Sequence, residues 1–542
     1  MFCDIPQVNQ LTALLVAHGI RDLVACPGSR NATIVHNFNE LGEGFRLHPV
    51  TDERSAAFVA MGIALAVNHP AAVCVTSGSA LLNCLPAVAE ASFRHIPLLI
   101  ISADRPTAWI GQLEGQTLPQ EGALEPYCST LNLCIPHTEE DLWLNNRRIN
   151  EALLSLKDPA KGPAHINVPI AEPMFGFSTE QLPEERVVEA YIPTAKRPLP
   201  DNLVRLISEA RLPALLIGQT DLLDLRVEAA ALEREGQMLL LPEILSGVPH
   251  RLRMKIFDAP EVRPGVEMPD VVVQVGGNFV HKNFKQRLRE SSCKVVRVGR
   301  EPGLVDTFRH LCATVEAPVG SVLRQLADEL PHDNPSVRNQ QAFYAAAAEQ
   351  LRQGARQCAE LSPRTCLKEL SKQLENRQVG GLHLANSTTV RQAEEAFEGG
   401  EFPILCNRGV NGIEGSLSTA VGFALKRKGL QVVVTGDLSF FYDANALWNT
   451  RLPSNLRILL LNNGRGEIFD HLPGLSNSPA AFTYIAAGGQ TFDAKGISTG
   501  FHVDHALVSS ADELPQAMTR WLQDAPSAKI LEVALPKNPA PK

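Results

Sequence analysis

VVVTGDLSFFYDANALWNTRLPSNLRILLLNNGRGEIF, residues 432–469, is the stretch that decides the fold. Residues 432–435 are apolar and β-branched and read as a buried strand that ends on Gly436-Asp437. Residues 443–451 read as a crossover helix, and 457–461 as a second strand ending on Asn462-Asn463. A right-handed crossover lays successive parallel strands side by side with their C-terminal ends at one edge, so Asp437 and Asn463 converge. A carboxylate and an amide oxygen are hard donors that suit Mg²⁺, with phosphate oxygens or water completing the shell. Alone, Gly-Asp after a strand and Asn-Asn-Gly are ordinary turns; the pairing is what carries chemistry.

The same alternation extends outward. Strand-like and helical runs follow one another at 404–406, 418–425, 447–451 and 530–534, at 203–210, 214–217, 271–275 and 295–298, and at 23–25, 55–67, 72–76, 80–91 and 97–102. This rhythm predicts an α/β protein of doubly wound parallel sheets. A proline-rich run follows Asn167, and a helical connector is expected at 339–375. The expected division is therefore 1–185, 186–338 and 339–542, which agrees with a prior of roughly 100–200 residues per domain.

Composition narrows the function classes. The 542 residues are 44% hydrophobic and 20% charged, which is ordinary globular usage. Lys and Arg number 50 against 59 Asp and Glu, a formal charge of −9, so neither nucleic acid nor an anionic membrane is favoured in bulk and anionic ligands must be met by local cations. Eleven cysteines without a CxxC pair indicate reduced thiols rather than a disulfide framework or zinc site. MFCDIPQVNQ lacks the pattern of a signal peptide, and a cytoplasmic location is expected. No GxGxxG follows a strand and no GxxxxGK[ST] occurs, which disfavours a dinucleotide oxidoreductase or P-loop enzyme.

The Gly-Asp to Asn-Asn segment resembles the metal and diphosphate motif of thiamine-diphosphate enzymes. Such enzymes need a carboxylate facing the cofactor's aminopyrimidine ring, and Glu53 stands at the strand-to-helix turn of TDERSAAF, 51–58. Its bland alternative is that Asp52 and Glu53 only complement a helix N-terminus. CPGSRNATIV (26–35), TSGSALLNCLPAVAEA (76–91), SADRP (102–106), NRGVNGIEGSLSTAVGFA (407–424) and GDLSFFYD (436–443) narrow the resemblance to the menaquinone-pathway 2-succinyl-5-enolpyruvyl-6-hydroxy-3-cyclohexene-1-carboxylate synthases. The middle of the chain is similar only around VQVGGNFVHKNFKQRLR, 273–289.

The resemblance implies a pyrimidine-binding first domain, a central domain and a diphosphate-binding third domain. It implies a homodimer or homotetramer with active sites at the subunit interface. The implied cofactors are thiamine diphosphate and Mg²⁺ or Mn²⁺, and the implied substrates 2-oxoglutarate and isochorismate. By the same resemblance Glu53 faces the aminopyrimidine, Asp437, Asn463 and the Arg465 carbonyl hold the metal, and Ile413 is an apolar wedge under the cofactor. Gly436, Leu438, Ser439, Ile468 and Phe469 line the cofactor, with Ser387 and Arg408 beside it. Ser29, Arg30, Arg105, Gln116, Lys282, Ser387, Arg391 and Arg408 surround the substrates, and Arg30, Ser387, Arg391 and Arg408 count with Glu53 as catalytic. Asn411 and Glu414 depart from the Ser and Asp usual in that loop, and GRGE replaces a more glycine-rich turn after Asn463. Other thiamine carboligases, 2-oxoacid decarboxylases and a non-catalytic diphosphate-binding regulator are the rival readings.

Overall fold

Runs such as AAVCV at Ala71–Val75, PALLI at Pro213–Ile217 and LRILLLN at Leu456–Asn462 are buried along their whole length. An uninterrupted apolar strand of this kind needs helices on both sheet faces, and that is the architecture of the computed structural model. It describes residues 1–158, 162–191, 198–221, 223–250, 252–260, 263–299, 303–354 and 360–537.

Three parallel sheets follow one another along the chain. The first comprises β1 (Asp22–Ala25), β2 (Arg46–Pro49), β3 (Ala71–Val75), β4 (Leu98–Asp104), β5 (Thr130–Asn132) and β6 (Ala164–Pro169), in the order 2-1-3-4-6-5. The second holds β7 (Pro213–Ile217), β8 (Leu239–Pro242), β9 (Val271–Val275), β10 (Lys294–Gly299) and β11 (Leu311–Glu316), ordered 11-10-9-7-8. The third holds β12 (Val379–Leu384), β13 (Ile404–Leu405), β14 (Leu430–Gly436), β15 (Leu456–Asn462), β16 (Asp504–Val508) and β17 (Lys529–Ala534), ordered 13-12-14-15-17-16. The outer sheets thus share one topology without any visible sequence repeat. β14 and β15 pair in parallel with Gly436 opposite Leu461, which brings Asp437 and Asn463 to the same edge.

Two sequence expectations need correction. Residues 443–451 do not form the crossover helix: a short helix, Asp437–Tyr442, starts on the aspartate itself, and only a 3-10 turn, Ala444–Leu447, follows. The Asp443 side chain is bound to Ser418, and Asn449 turns its side chain back onto the Arg451 amide, local bonds that compete with a helix. The cut at 338/339 falls inside a helix, Pro335–Gly354, whose Val337, Tyr344 and Ala347 pack into the middle core. Asn334 accepts hydrogen bonds from the Ser336 and Val337 amides, and Pro335 opens the first turn, so the helix begins before the expected boundary. The later helix of the connector, Pro363–Leu374, belongs instead to the third core through Cys366, Leu367, Leu370 and Leu374.

The first and third domains pack directly on each other. Helix Glu53–Val67 lies along helix Ser416–Ala424, and both contribute to one continuous core that includes Phe58, Ala60, Ala420 and Phe423. The approach requires glycine on each side. A Cβ at Gly62 would lie 2.0 Å from the Thr419 carbonyl oxygen, and one at Gly422 would lie 2.0 Å from the Val59 carbonyl oxygen. The proline-rich segment stays on the first domain at least as far as Val188, since Asn146 donates to Glu185 and to the Arg186 carbonyl, and Asn150 accepts from the Val188 amide.

Candidate active site

Ligands of open α/β sheets bind beyond the C-terminal strand ends, where the strand order reverses. In the third sheet that reversal lies between β12 and β14. Ser387 follows β12, Arg408 follows β13, Asp437 follows β14 and Asn463 follows β15, so four expected site residues rim one crevice.

Asp437 is buried, and burial holds its pKa above the usual carboxylate value despite three backbone donors. Its Oδ1 accepts from the Leu438 amide at 2.8 Å, and its Oδ2 from Gly464 and, at 3.1 Å, from Arg465. The Asn463 Oδ1 accepts from the Arg465 amide at 3.2 Å, and Gly464 turns with φ of +73°. The 463–465 loop is thereby folded over the aspartate, and Arg465 is tied back to Asp470 at 3.0 Å. Among the described residues no group of three His, Cys, Asp or Glu could hold a metal ion. A cation here therefore depends on one carboxylate, one amide and main-chain oxygen, a donor set suited to a hard divalent ion that also binds diphosphate.

The surroundings fit a diphosphate-bearing cofactor. A Cβ on Gly436 would meet nothing within 4 Å, so space is open at the strand end. Ser439 Oγ donates to the Ile413 carbonyl at 2.6 Å and fixes the loop that leaves the Ile413 side chain 39% exposed. Leu438, Ile468 and Phe469 are half-buried nearby in sequence, the last two on the 3-10 turn Glu467–His471.

Glu53 opens helix Glu53–Val67 after β2. Asp52 rather than Glu53 caps that helix, accepting from the Ser55 amide at 2.9 Å, while its other oxygen accepts from Asn445 at 2.7 Å. Glu53 is thus released from capping; its Oε2 accepts from Asn83 Nδ2 at 3.2 Å.

Two sets of cations occupy the sheet edges. On the first sheet, Arg30 follows β1 and is buried, donating to the Ile170 carbonyl at 3.0 Å and pairing with Glu172 at 3.4 Å. Arg105 follows β4, and its Nε donates to the Gly115 carbonyl at 3.1 Å. Burial and then the Arg105 charge lower the Arg30 pKa. Ser29 and Gln116 are exposed, Gln116 with φ of +55°. On the third sheet, Arg391 donates to the Ser387 carbonyl, and Arg408 donates to Asn386 Oδ1 at 3.2 Å. Ser387 has φ of +76° at the start of its helix. Burial followed by the Arg408 charge lowers the Arg391 pKa. Lys282 is exposed at the first turn of helix Lys282–Glu290, whereas Lys285, one turn on, is half-buried with its Nζ on the Phe279 carbonyl at 3.1 Å.

Sequence reading missed several supporting residues. Glu90, 1% exposed, accepts from the Gly409 and Val410 amides at 2.8 Å each and so holds the Arg408 loop from the first domain. A lone glutamate inside AVAEA was the available signal. Asn386 bridges the same loop, donating to the Asn407 carbonyl at 2.6 Å and the Gly412 carbonyl at 2.7 Å. Lys285 and Asp443 also give no local signal of their contacts, the latter because it stands at the head of the expected 443–451 helix.

Comparison with known proteins gives the fold and the family. Residues 8–125 match the model of the thiamine pyrophosphate enzyme N-terminal TPP binding domain. A thiamine diphosphate-dependent 4-hydroxybenzoylformate decarboxylase of Rhodococcus jostii shares the fold, with a TM-score of 0.72 at 18% identity over 98% of this chain and 99% of that one. Fold and matched domain together define a thiamine-diphosphate enzyme. The chain is 40% identical to the 2-succinyl-5-enolpyruvyl-6-hydroxy-3-cyclohexene-1-carboxylate synthase of Bacteroides thetaiotaomicron over 99% of its length and 97% of that protein. It is 32% identical to the same synthase of Desulfotalea psychrophila over 97% of each. It belongs to the 2-succinyl-5-enolpyruvyl-6-hydroxy-3-cyclohexene-1-carboxylate synthase family.

Proposed function

We propose that the protein decarboxylates 2-oxoglutarate and adds the resulting succinyl carbanion equivalent to isochorismate, giving 2-succinyl-5-enolpyruvyl-6-hydroxy-3-cyclohexene-1-carboxylate and CO2 in menaquinone biosynthesis. The observation that carries the reading is the folding of the 463–465 loop over buried Asp437, in a chain that shares this family's sequence along nearly its whole length. Thiamine diphosphate supplies a nucleophilic thiazolium carbon and an electron sink for loss of CO2.

Asp437, the Asn463 amide and the Arg465 carbonyl are proposed to hold Mg²⁺ or Mn²⁺ and, through it, the diphosphate. The Glu53 carboxylate holds a proton at the aminopyrimidine N1′, for which its freedom from helix capping leaves it available. Ile413 supports the cofactor from below; Gly436, Leu438, Ser439, Ile468 and Phe469 wall the pocket, and the apolar members exclude water from the reacting carbon. Both substrates carry two carboxylates. Arg30, Arg105, Arg391 and Arg408 are suited to clamp them, since guanidinium binds carboxylate in a planar, two-point fashion. Ser29, Gln116, Lys282 and Ser387 orient the substrates.

The active form is proposed to be a homodimer or homotetramer in the cytoplasm, each site shared between the first domain of one subunit and the third of another. Ile413, left part-exposed by its own chain, and Leu113, wholly exposed near Arg105 and Gln116, support closure by a second subunit. Free thiols at every described cysteine fit a reducing compartment. Among the described residues no helix is long and apolar enough to cross a membrane.

Incubation with thiamine diphosphate, Mg²⁺, 2-oxoglutarate and isochorismate tests the activity. Isochorismate is expected to be consumed in step with CO2 release; CO2 release with isochorismate untouched would reassign the protein to the simple decarboxylases.

A further inference from the structure

Arg391 and Arg408 do not stand alone at the third-sheet edge. The middle domain reaches them through the segment from Gly276 to Lys285. Asn278 Nδ2 donates to the Arg408 carbonyl, Phe279 and Val280 are buried, and helix Lys282–Glu290 then turns Lys285 inward with its Nζ on the Phe279 carbonyl. The two cation-bearing helices are clasped at their ends. His281, which precedes the lysine helix, contacts Glu394, which ends the Arg391 helix, at 2.6 Å with both side chains buried. That clasp fixes Lys285 relative to Arg391 across the domain junction.

Among the described residues, neither arginine nor the lysine is salt-bridged to a carboxylate. Glu243, whose charge reaches both Lys285 and Arg391, makes no ion pair with either and turns its Oε1 onto the Val280 and His281 amides. Arg408 is 7% exposed, and its Nε is buried with no hydrogen-bond partner among the described residues. Burial, then the Arg408 charge, and more weakly Arg289 and Arg391, lower the Lys285 pKa, as expected for a cation held among cations. Such a cluster is unfavourable when empty and favours an anion strongly.

Position indicates which part of an anion. β12 and β13 lie one and two strands from β14, and neighbouring strands are about 4.8 Å apart, so the cluster is some way along the edge from Asp437. We propose that Lys285 completes with Arg391 and Arg408 a three-cation site for a substrate carboxylate remote from the reacting carbon, which makes Lys285 a specificity-determining residue. This rests on the dicarboxylate chemistry assigned above.

The holoenzyme and its K285M and K285R variants are compared by steady-state kinetics with both substrates and by calorimetric titration with glutarate, an unreactive dicarboxylate. K285M is expected to raise KM for one substrate at least tenfold and to weaken glutarate at least tenfold, with thiamine diphosphate affinity unchanged. K285R, retaining charge, is expected to stay within about threefold of wild type, which separates charge loss from misfolding. Glutarate affinity and both KM values within twofold of wild type in K285M would overturn the proposal, as would a wild-type protein that fails to bind glutarate. A wild type that binds glutarate through Lys285 yet does not consume isochorismate would uphold the cation site and remove the assigned reaction.

Discussion

At the residue scale, the decisive contrast is between two adjacent carboxylates. Asp52 satisfies the orphan amide of Ser55, a bond that normally contributes about 1 kcal/mol to a helix, while Glu53 beside it has no backbone duty at that terminus. A residue freed from structure in this way is replaceable without unfolding the protein. Glu53→Gln is therefore expected to keep thiamine diphosphate binding within a few-fold and to lower turnover by about 100-fold or more, since an amide cannot hold the N1′ proton as a carboxylate does. Turnover near wild type would exclude the role. Asp437 is the opposite case. It gathers the Leu438, Gly464 and Arg465 amides, so Asp437→Ala is expected both to abolish Mg²⁺-dependent cofactor binding in a calorimetric titration and to loosen the 463–465 loop. Unchanged cofactor affinity would refute the metal assignment.

At the element scale, the junction of helices Glu53–Val67 and Ser416–Ala424 governs whether the two cofactor-facing domains hold their relation. Gly62→Ala places a methyl group against the Thr419 carbonyl and is expected to cost about 1–3 kcal/mol by overpacking, seen as a lowered melting temperature and reduced activity together. The same junction carries a titration. Asp443 accepts from the amide and hydroxyl of Ser418, whose hydroxyl also meets Ser55 across the domains at 2.9 Å, and burial pushes the Asp443 pKa up to about 6 from 3.8. An acid with a raised folded pKa binds its proton more tightly when folded. Stability is therefore lost as pH rises from about 4 through about 6, by up to about 3 kcal/mol from this group. Asp443→Asn satisfies the same amide and does not titrate, so its melting temperature is expected to gain on wild type between pH 5 and pH 7.5; parallel profiles would contradict the assignment. These elements also show what the sequence made legible. Apolar strands and the Gly-Asp and Asn-Asn strand ends were readable because period and turn chemistry are local. The helix after β14 was misplaced because Asp443 answers to Ser418, a partner distant in the chain. Glu90 and Lys285 answer to groups in the neighbouring domain, and Asn386 to the loop after β13 in its own, partners that no local pattern names.

At the scale of the whole molecule, the outer sheets have the same strand order, and the residues proposed for the site fall at matching strand ends. Arg30 and Ser387 follow β1 and β12, Glu53 and Arg408 follow β2 and β13, and Arg105 and Asn463 follow β4 and β15. Two like edges, each bearing half of the proposed chemistry, suit a paired assembly in which one subunit's first-domain edge meets the other's third-domain edge. The contacts within one chain are consistent with this. The Glu53 turn meets its own third domain through Asp52 with Asn445 and through Arg54 with the Tyr442 carbonyl at 2.7 Å, at the end of the short helix away from Asp437. The proposed sharing of sites between subunits has a quantitative consequence. Neither Glu53→Gln nor Asp437→Ala homodimers contain an intact site, but a mixed dimer places both substitutions in one site and leaves the other wild type. Co-expression of the two inactive variants with different affinity tags, followed by purification of the mixed dimer, is expected to restore about half of the wild-type activity per dimer. Sites built within single chains would carry one lesion each, and the mixed dimer would stay as inactive as its parents.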